Sequence, residues 1–194
     1  MAETSCPQPV QYDGRLLASE WNVRDTTLAV AVAMVQQHHY AHGGANTATY
    51  LHGLFRNGDD ECAGVAWWIP PTKSAALATY PEDWKGVLCL SRLVIVPETP
   101  KNAATYLLAG SRRLIDRVRW PCLVTYADEG QGHTGGIYKA DNWTLVGKTK
   151  PERTYFLGDR MVARKAGPHT RTHAEMLELG CVMVGSFSKY KYVR

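Results

Sequence analysis

Apolar and polar positions alternate along the chain in blocks typical of buried strands and amphipathic helices. Residues 87–96 form a nearly continuous apolar run that ends at Pro97, as expected for a central strand covered on both faces. Residues 103–118 repeat apolar side chains at helical spacing, and residues 123–127 form a second buried strand. This order predicts a βαβ unit. The predicted apolar side of its helix consists of Leu107, Leu108, Leu114, Ile115 and Val118.

The other segments extend this alternation toward both ends of the chain. Residues 26–39 predict a first helix capped by Asp25, and residues 50–56 and 62–69 predict a hairpin around the turn at 57–59. The C-terminal third predicts helix 132–141, strands 143–147 and 155–164, helix 173–179 and strand 181–187. We therefore expect a mixed α/β fold, with helices flanking a central sheet in one domain over residues 1–194.

Length and composition agree with one soluble domain. The chain has 194 residues, of which 45% are hydrophobic, and this is enough for one core. No apolar run approaches the roughly 20 residues that span a bilayer, and residues 1–12 lack the order of a signal peptide. We expect a cytoplasmic protein. The five cysteines are scattered without a C-x-x-C pair, which predicts reduced thiols rather than a zinc site.

Positive charge is concentrated at the C-terminal end of the chain. Residues 148–194 hold ten Lys and Arg against four Asp and Glu, a net charge of +6, whereas the whole chain carries +4. This basic C-terminal part could bind a polyanion such as DNA, or it could be a solvated surface. The predicted phosphate contacts are Arg164, Lys165, Lys189, Lys191 and Arg194.

The segment 133–143 carries a tyrosine, Tyr138, followed after three residues by Asn142 and Trp143. It resembles a signature of GNAT-type acyltransferases, in which a helix tyrosine precedes a left-handed residue and an aromatic residue that opens the next strand. Asn142 replaces the usual glycine, and Asn tolerates a positive φ. An ordinary helix end with a packed tyrosine explains the same pattern.

The second GNAT landmark is a glycine-rich loop whose amides bind the pyrophosphate of coenzyme A. The corresponding residues 97–104 lack both glycines, although Ala103 and Ala104 permit a close approach and Lys101 could meet a phosphate. The resemblance implies acetyl-CoA or another acyl-type donor, and the missing glycines leave the identity of the donor open. The predicted donor-binding residues are Arg92, Lys101, Asn102, Ala104 and His133.

Several short motifs occur in a fixed order along the chain. They are His39-Tyr40, Leu90-Ser91-Arg92, residues 97–106, Tyr126-Ala127-Asp128 with His133 and Tyr138, and the basic-aromatic ending 189–194. In this combination the chain resembles the Mom proteins, a divergent GNAT-like group encoded by bacteriophages. The resemblance implies an enzyme that attaches a carbamoylmethyl-type group to N6 of adenine in duplex DNA and so protects it from restriction. It also implies iron dependence.

Such an enzyme must reach an amine inside the base stack, so we expect a base-flipping pocket. Trp67, Trp68 and Trp143 could supply aromatic walls, although core positions are the simpler explanation for each of them. Asp128 follows a buried parallel strand, where α/β folds place ligands, and could accept the amine proton. Tyr138 could approach the same crevice and protonate a leaving group. Asp128 could instead be a capping or turn residue.

Histidines gather at the end of the first helix, where His38, His39 and His42 flank Tyr40. His39, Tyr40 and Asp128 are predicted as a metal site on the strength of the resemblance, and His39 and Tyr40 also as catalytic groups. Interaction of the histidines with the helix dipole is the alternative.

Two further polar residues have open roles. Arg92 interrupts an apolar strand and needs an anionic partner, either Asp128 or Glu98 in a structural role, or a phosphate or donor carboxylate in a functional one. His133 could bind an anionic donor group or cap the helix that follows it.

Three functions remain compatible with the sequence. They are a DNA adenine-modifying transferase, a GNAT-type N-acetyltransferase of a small amine or protein, and a non-catalytic DNA-binding protein. The sequence does not distinguish a monomer from a homodimer.

Overall fold

The structure is a computed structural model that describes residues 14–40 and 46–194. Within these residues the helices are α1 (Leu28–His38), α2 (Lys73–Leu77), α3 (Ala103–Leu114), α4 (Gly136–Ala140) and α5 (His173–Glu178). The strands are β1 (Trp21–Asp25), β2 (Tyr50–Arg56), β3 (Cys62–Ile69), β4 (Val87–Ile95), β5 (Cys122–Asp128), β6 (Thr144–Lys148), β7 (Glu152–Leu157), β8 (Arg160–Val162), β9 (Lys165–Ala166), β10 (His169–Thr170), β11 (Val182–Phe187) and β12 (Lys189–Val193). None of the helices described has the length and apolar character needed to cross a membrane.

Seven strands form the main sheet in the order β1-β2-β3-β4-β5-β12-β6. Strands β1, β2 and β3 pair antiparallel. Strands β4 and β5 pair in parallel from Val87 with Cys122 to Leu90 with Thr125, and β5 then continues to Asp128. Strand β12 lies between β5 and β6 and is antiparallel to both. The prediction of a mixed α/β class is confirmed, while one domain over residues 1–194 stays a prediction.

The chain divides into two compact units, and the N-terminal unit comprises residues 1–69 and 91–116. Its core packs Ala31 and Val35 of α1 with Val65 and Trp67 of β3. Burial of such apolar side chains contributes about 1.5–3 kcal/mol for each large residue, so this packing, more than helix propensity, holds the 11-residue α1 in place.

The C-terminal unit comprises residues 70–90 and 117–194. One of its cores joins Ala76 of α2 to Val87 and Val124 of the parallel pair. The apolar runs predicted for β4 and β5 follow from this burial, because each strand has side chains on both faces of the sheet.

Residues 149–188 form an excursion between two neighbouring strands of the main sheet, β6 and β12, and we call it the inserted module. It contains a second sheet in the order β11-β7-β8 and the small hairpin of β9 and β10. Tyr155, Met176 and Cys181 are buried in a core of its own.

The hairpin of β2 and β3 and the βαβ unit of β4, α3 and β5 confirm the sequence predictions. The cap of α1 was predicted wrongly: Thr27, not Asp25, accepts the N–H of Val30, and Asp25 ends β1. The end of α3 was also wrong. The helix stops at Leu114 because Ile115 takes an extended conformation, and Val118 is consequently 94% exposed.

Three other predictions are corrected. The single strand 155–164 is two strands, β7 and β8, because Gly158 turns the chain with φ = 58°. The helix 132–141 is reduced to α4, preceded by a 3-10 turn over Glu129–Gln131. The ending treated as an exposed basic tail is β12, a strand with neighbours on both sides.

Candidate active site

Asp128 is the last residue of β5, and its carboxylate is held on both oxygens. One oxygen accepts the backbone N–H of Gly130 at 3.0 Å, so Asp128 does cap the 3-10 turn that follows. The other lies 3.4 Å from Nζ of Lys189, the residue opposite it on β12. The side chain is 12% exposed. It is therefore a fixed, largely buried carboxylate.

The turn after Asp128 is fastened to the sheet by Glu129. Its carboxylate accepts Nζ of Lys148 at 2.8 Å and the hydroxyl of Tyr190 at 3.3 Å. The hydrogen bond from Lys148 is the main reason why the pKa of Glu129 lies below its usual value. A Cβ atom on Gly130 would lie 2.9 Å from the ring of Phe187, so this position requires glycine. The turn that orients Asp128 is therefore rigid.

Asp128 lines a cavity of about 380 Å³ that is formed within the C-terminal unit, mainly by the inserted module. We call it the basic cavity. Its lining residues are Asp128, Glu152, Arg153, Thr154, Tyr155, Met161, Val162, Ala163, Arg164, Lys165, Thr170, Phe187 and Lys189. The lining includes four cationic residues, two acidic residues and several apolar residues. This combination suits a ligand with both an anionic and an apolar part.

Three of the predicted phosphate contacts, Arg164, Lys165 and Lys189, lie in this lining. Arg164 is oriented because its Nε donates to the carbonyl of Arg171 at 2.8 Å. Arg153 joins them and was not predicted, because in the sequence it is one of many basic residues. The structure thus brings the predicted carboxylate and part of the predicted basic surface together.

The other two predicted contacts have different surroundings. Nζ of Lys191 donates to the carbonyl of Ala78 at 3.0 Å, and burial lowers the pKa of Lys191. Arg194 donates to the carbonyl of Asn142 at 2.6 Å. The expectation of three equivalent, exposed terminal charges is therefore wrong, because β12 is part of the sheet and uses these cations to satisfy backbone carbonyls.

Tyr138 lies on α4 and is 8% exposed. Its ring packs against Trp143 and Tyr192 at centroid distances of 5.9 and 5.3 Å. The left-handed conformation predicted for Asn142 is confirmed by its φ of 59°, and the N–H of Trp143 closes the turn on the carbonyl of Tyr138 at 2.9 Å. Sequence spacing alone was sufficient to predict this local geometry.

The hydroxyl of Tyr138 is hydrogen-bonded to Thr125, and Thr125 in turn donates to the carbonyl of Leu90 at 3.2 Å. Leu90 and Thr125 form the last pair of the parallel register. Burial raises the pKa of Tyr138, which keeps its hydroxyl protonated at neutral pH. The group is therefore a protonated hydroxyl placed where the pairing of β4 and β5 ends.

Asp128 and Tyr138 belong to opposite faces of β5. Tyr138 contacts Thr125, which is three residues before Asp128, and side chains an odd number of residues apart on a strand point to opposite faces. Strand β12 shows the same separation, since Lys189 contacts Asp128 whereas Tyr192 contacts Tyr138. The expectation that both groups enter one crevice from the same side is wrong, because helix α4 covers the face opposite Asp128.

The predicted donor-binding loop begins α3. Asn102 has a left-handed φ of 71° at the helix N-cap, and Ala103 is buried. The backbone of Lys101 is paired with the chain before β1: its N–H donates to Gly14 and its carbonyl accepts from Leu16. The small residues thus allow a close approach at the helix start, as predicted, and Ala104 follows in the first turn. Donor binding there stays a prediction.

Arg92 and His133 were assigned open roles by the sequence. The guanidinium of Arg92 donates to the carbonyl of Ser91 at 2.7 Å, a contact that the sequence did not indicate. The N–H of His133 donates to the carbonyl of Asp128 at 3.1 Å. A capping role for His133 is wrong, because Gly135 is the N-cap of α4.

The metal site predicted from His39, Tyr40 and Asp128 lacks a matching arrangement. His39 terminates α1, and its ring stacks on Tyr40 at 4.3 Å. No group of three or more His, Cys, Asp or Glu side chains within residues 14–40 and 46–194 is placed to hold a metal ion. His42 lies outside the described residues. The residues described do not fit an iron centre, and no chemical step is derived through one.

For three tryptophans the sequence left two positions open, a pocket wall or the core. All three are core residues. Their indole N–H groups are bonded to the carbonyl of Thr47, to Ser111 and to Asp141. Trp67, Trp68 and Trp143 are all buried. They therefore cannot form the walls of a base pocket.

The chain is similar to known proteins over most of its length. The model of the Mom protein family matches residues 20–193. The methylcarbamoylase mom of Escherichia phage Mu is 27% identical over 206 residues, covering 97% of this chain and 82% of the phage Mu protein.

Solved structures show the fold. A Desulfovibrio desulfuricans protein assigned as an acetyltransferase of the GNAT family superposes with a TM-score of 0.50, at 13% identity over 90% of this chain and 98% of its own. A Salmonella typhimurium protein assigned as an acetyltransferase, solved with its cofactor acetyl-CoA, gives 0.51 at 9% identity over 90% and 92%. The predicted GNAT-like fold is confirmed.

Proposed function

The chain belongs to the Mom protein family, and on this premise we propose that it is a transferase that attaches a carbamoylmethyl-type group to N6 of adenine in double-stranded DNA. The phage Mu relative is a methylcarbamoylase by name, which supports a transferase. Modified adenine would then protect the DNA from restriction, in the cytoplasm of the host cell.

One observation carries the proposal. The carboxylate of Asp128, at the end of a parallel strand, opens into a cavity that also holds Arg153, Arg164 and Lys165. A carboxylate that can accept a proton is thus placed beside cations that attract a polyanion. DNA supplies both the amine and the phosphates that such a cavity would bind.

The chemistry at Asp128 follows from the weakness of the N6 amine as a nucleophile, since its lone pair is delocalised into the ring. The amine nitrogen attacks an electrophilic carbon of the donor, the bond from that carbon to the leaving group breaks, and the nitrogen loses a proton. Asp128 accepts that proton. Its fixed position, set by Gly130 and Lys189, keeps one carboxylate edge toward the substrate.

We propose Tyr138 as the proton donor to the leaving group. Because Tyr138 packs on the face of β5 opposite Asp128, the group donor has to reach the amine around the end of that strand. The protonated hydroxyl of Tyr138 rotates from Thr125 and supplies the proton that the leaving group needs. The predicted donor is acetyl-CoA or another acyl-type donor, and the Salmonella typhimurium structure of the same fold contains acetyl-CoA. Acetyl-CoA alone would transfer an acetyl group, so a carbamoylmethyl-type product requires a donor that already carries that group. The residues predicted to bind the donor are Arg92, Lys101, Asn102, Ala104 and His133.

The test is nucleoside mass spectrometry of DNA from cells that express the protein. The wild type should convert part of the deoxyadenosine to an N6-substituted form, and the same DNA should resist restriction. Asp128→Asn should abolish this product. Asp159→Asn, which makes the same change at an exposed turn, should retain it.

The outcomes separate the alternative functions. An unchanged nucleoside profile with soluble protein would reject the proposal. If the purified protein bound DNA without modifying it, a non-catalytic DNA-binding function would replace it. If it acetylated a small amine or protein with acetyl-CoA, an N-acetyltransferase would be the function. Full activity in Asp128→Asn would remove Asp128 from the mechanism.

A further inference from the structure

We propose that the basic cavity receives one extruded adenine nucleotide, and that the inserted module supplies the walls that hold it. The inference rests on the proposed function, because it names the subsite by which that enzyme would hold its DNA. The cavity lies entirely within the C-terminal unit.

The inserted module is a closed structural addition to the main sheet. Strands β6 and β12 are antiparallel neighbours, and such a pair needs a connection of only about 2–5 residues. Here the connection spans residues 149–188, and its neck is closed by two hydrogen bonds of 2.9 Å between Thr149 and Lys189. The module therefore leaves and rejoins the sheet beside Asp128.

The wall of the cavity formed by the module is internally supported. Tyr155, fully buried, donates to or accepts from Nδ1 of His173 at 2.8 Å. Helix α5 starts with a complete capping box between Thr172 and Glu175. These contacts hold β7 and α5 together, so the cavity is preformed and its lining residues have defined positions.

The cavity has the chemical features that a nucleobase needs. Its volume of about 380 Å³ is at the lower end of small-ligand pockets, roughly 300–1,000 Å³, which fits one nucleotide rather than a duplex. Met161 and Phe187 provide apolar and aromatic surface for a base face. Asp128 and Glu152 provide acceptors for an exocyclic amine, which adenine presents and thymine lacks.

The cations of the cavity suit the flanking phosphates. Four cationic residues line the cavity against two acidic ones, so the lining residues together carry a net positive charge. Arg153 and Lys165 are exposed, and neither forms an ion pair or side-chain hydrogen bond with any residue of the described chain. A positively charged small amine would be repelled here, whereas a nucleotide would be attracted.

The first experiment measures extrusion directly. A duplex carries one 2-aminopurine in place of adenine, opposite a mismatch that lowers the cost of unstacking. Binding of the full-length wild type should raise the 2-aminopurine fluorescence. Phe187→Ala should remove most of that rise while the protein still binds the duplex. If Phe187→Ala does not fold, Met161→Ala tests the same wall, and an undiminished rise in the variant that folds would overturn the proposal.

The second experiment measures phosphate contacts. Arg153→Gln with Lys165→Gln should flatten the slope of log affinity against log salt by about two, from roughly 0.9 per phosphate contact. The matched control is Lys150→Gln with Arg160→Gln, which removes two exposed charges of the same module outside the cavity. The control should leave the slope nearly unchanged. An equal flattening of the slope in both double variants would show that DNA is attracted by the overall charge of the protein, and this result would overturn the proposal.

Neither measurement requires a donor or turnover. The experiments can therefore reject the proposed subsite and the proposed function independently of each other. Extrusion without a modified nucleoside would retain the subsite and reject the function. A modified nucleoside without dependence on Phe187, Met161, Arg153 and Lys165 would retain the function and reject the subsite.

Discussion

The N-terminal and C-terminal units each bury a hydroxyl group, and the two hydroxyls have different surroundings. In the N-terminal unit, Ser111 accepts the indole N–H of Trp68 and is hydrogen-bonded to Nδ1 of His52, both at 2.7 Å. In the C-terminal unit, Tyr138 is hydrogen-bonded to Thr125 at the last pair of β4 and β5. The first hydroxyl links three elements of a core, and the second is positioned beside a strand end where ligands bind in α/β folds.

The N-terminal network has the residue types of a serine hydrolase triad without its function. Nε2 of His52 lies 3.5 Å from Asp25, which completes an Asp-His-Ser sequence of contacts. Ser111 is fully buried, however, and its oxygen is occupied by Trp68. A nucleophile must reach a substrate. Both hydroxyls are buried, and the comparison predicts a structural role for Ser111 inside a core and a chemical role for Tyr138 beside a strand end.

The largest expected effect is on the activity of Tyr138→Phe. Loss of the proton donor should lower the rate of transfer by about 10²- to 10⁴-fold, the usual contribution of general acid catalysis. The free energy of unfolding should fall by only about 1 kcal/mol, because one hydrogen bond is lost. Single-turnover transfer rates and denaturant unfolding of the same preparation measure both quantities.

The control for this variant is Tyr80→Phe, which removes a tyrosine hydroxyl from the same unit at a half-buried position beside α2. It should retain activity. A rate for Tyr138→Phe within a few-fold of wild type would show that Tyr138 is only a packed helix residue. The two buried hydroxyls would then both have structural roles.

The sequence was informative where a local pattern determines the structure. The turn at 57–59 lies between two runs of the correct length for a hairpin, and Asn142 has the residue type that a left-handed helix end tolerates. Strand β12 shows why other sequence-based predictions were wrong. Its alternating lysines and tyrosines are compatible with a strand, but the same letters describe a basic tail, and only pairing with β5 and β6 distinguishes them.

The basic cavity could not be predicted for a related reason. Asp128, Arg153, Lys165 and Phe187 are far apart in the sequence, and each lies in a segment with no unusual local pattern. The inserted module brings them together through the pairing of β7, β8 and β11, which depends on tertiary packing rather than on propensity. The sequence indicated the charge of this region but not its concave shape.

The next largest effect is on the stability of Ser111→Ala. This variant removes the hydroxyl to which both the N–H of Trp68 and Nδ1 of His52 are hydrogen-bonded in a buried site, so the free energy of unfolding should fall by roughly 2–4 kcal/mol. The rate of transfer per folded molecule should not change. Ser74→Ala, at an exposed position of α2, is the control and should unfold like the wild type. If Ser111→Ala were as stable as the wild type but had lost transfer activity, the hydroxyl of Ser111 would have a chemical role rather than a structural one.

The smallest expected effect is the pH dependence that His52 adds to stability. Burial lowers the pKa of His52 from its ordinary value of 6.5, and Asp25 only partly opposes this. The unfolded chain therefore binds a proton at higher pH than the folded one. The stability contributed by neutral His52 is fully present above pH 6.5 and is lost as the pH falls through the folded pKa.

The measurement is the difference in free energy of unfolding between the wild type and His52→Gln at a series of pH values below 7. Subtraction removes the contributions of the other histidines and of Glu129 and Glu175, whose carboxyl pKa values lie below their usual range. The wild type should lose more stability toward acid than the variant does. If the two proteins lost stability in parallel, the pKa of His52 would be the same in the folded and unfolded states. If the variant lost more stability toward acid than the wild type, Asp25 would stabilise a protonated His52 ring. Either result would contradict the expected contribution of neutral His52 to stability.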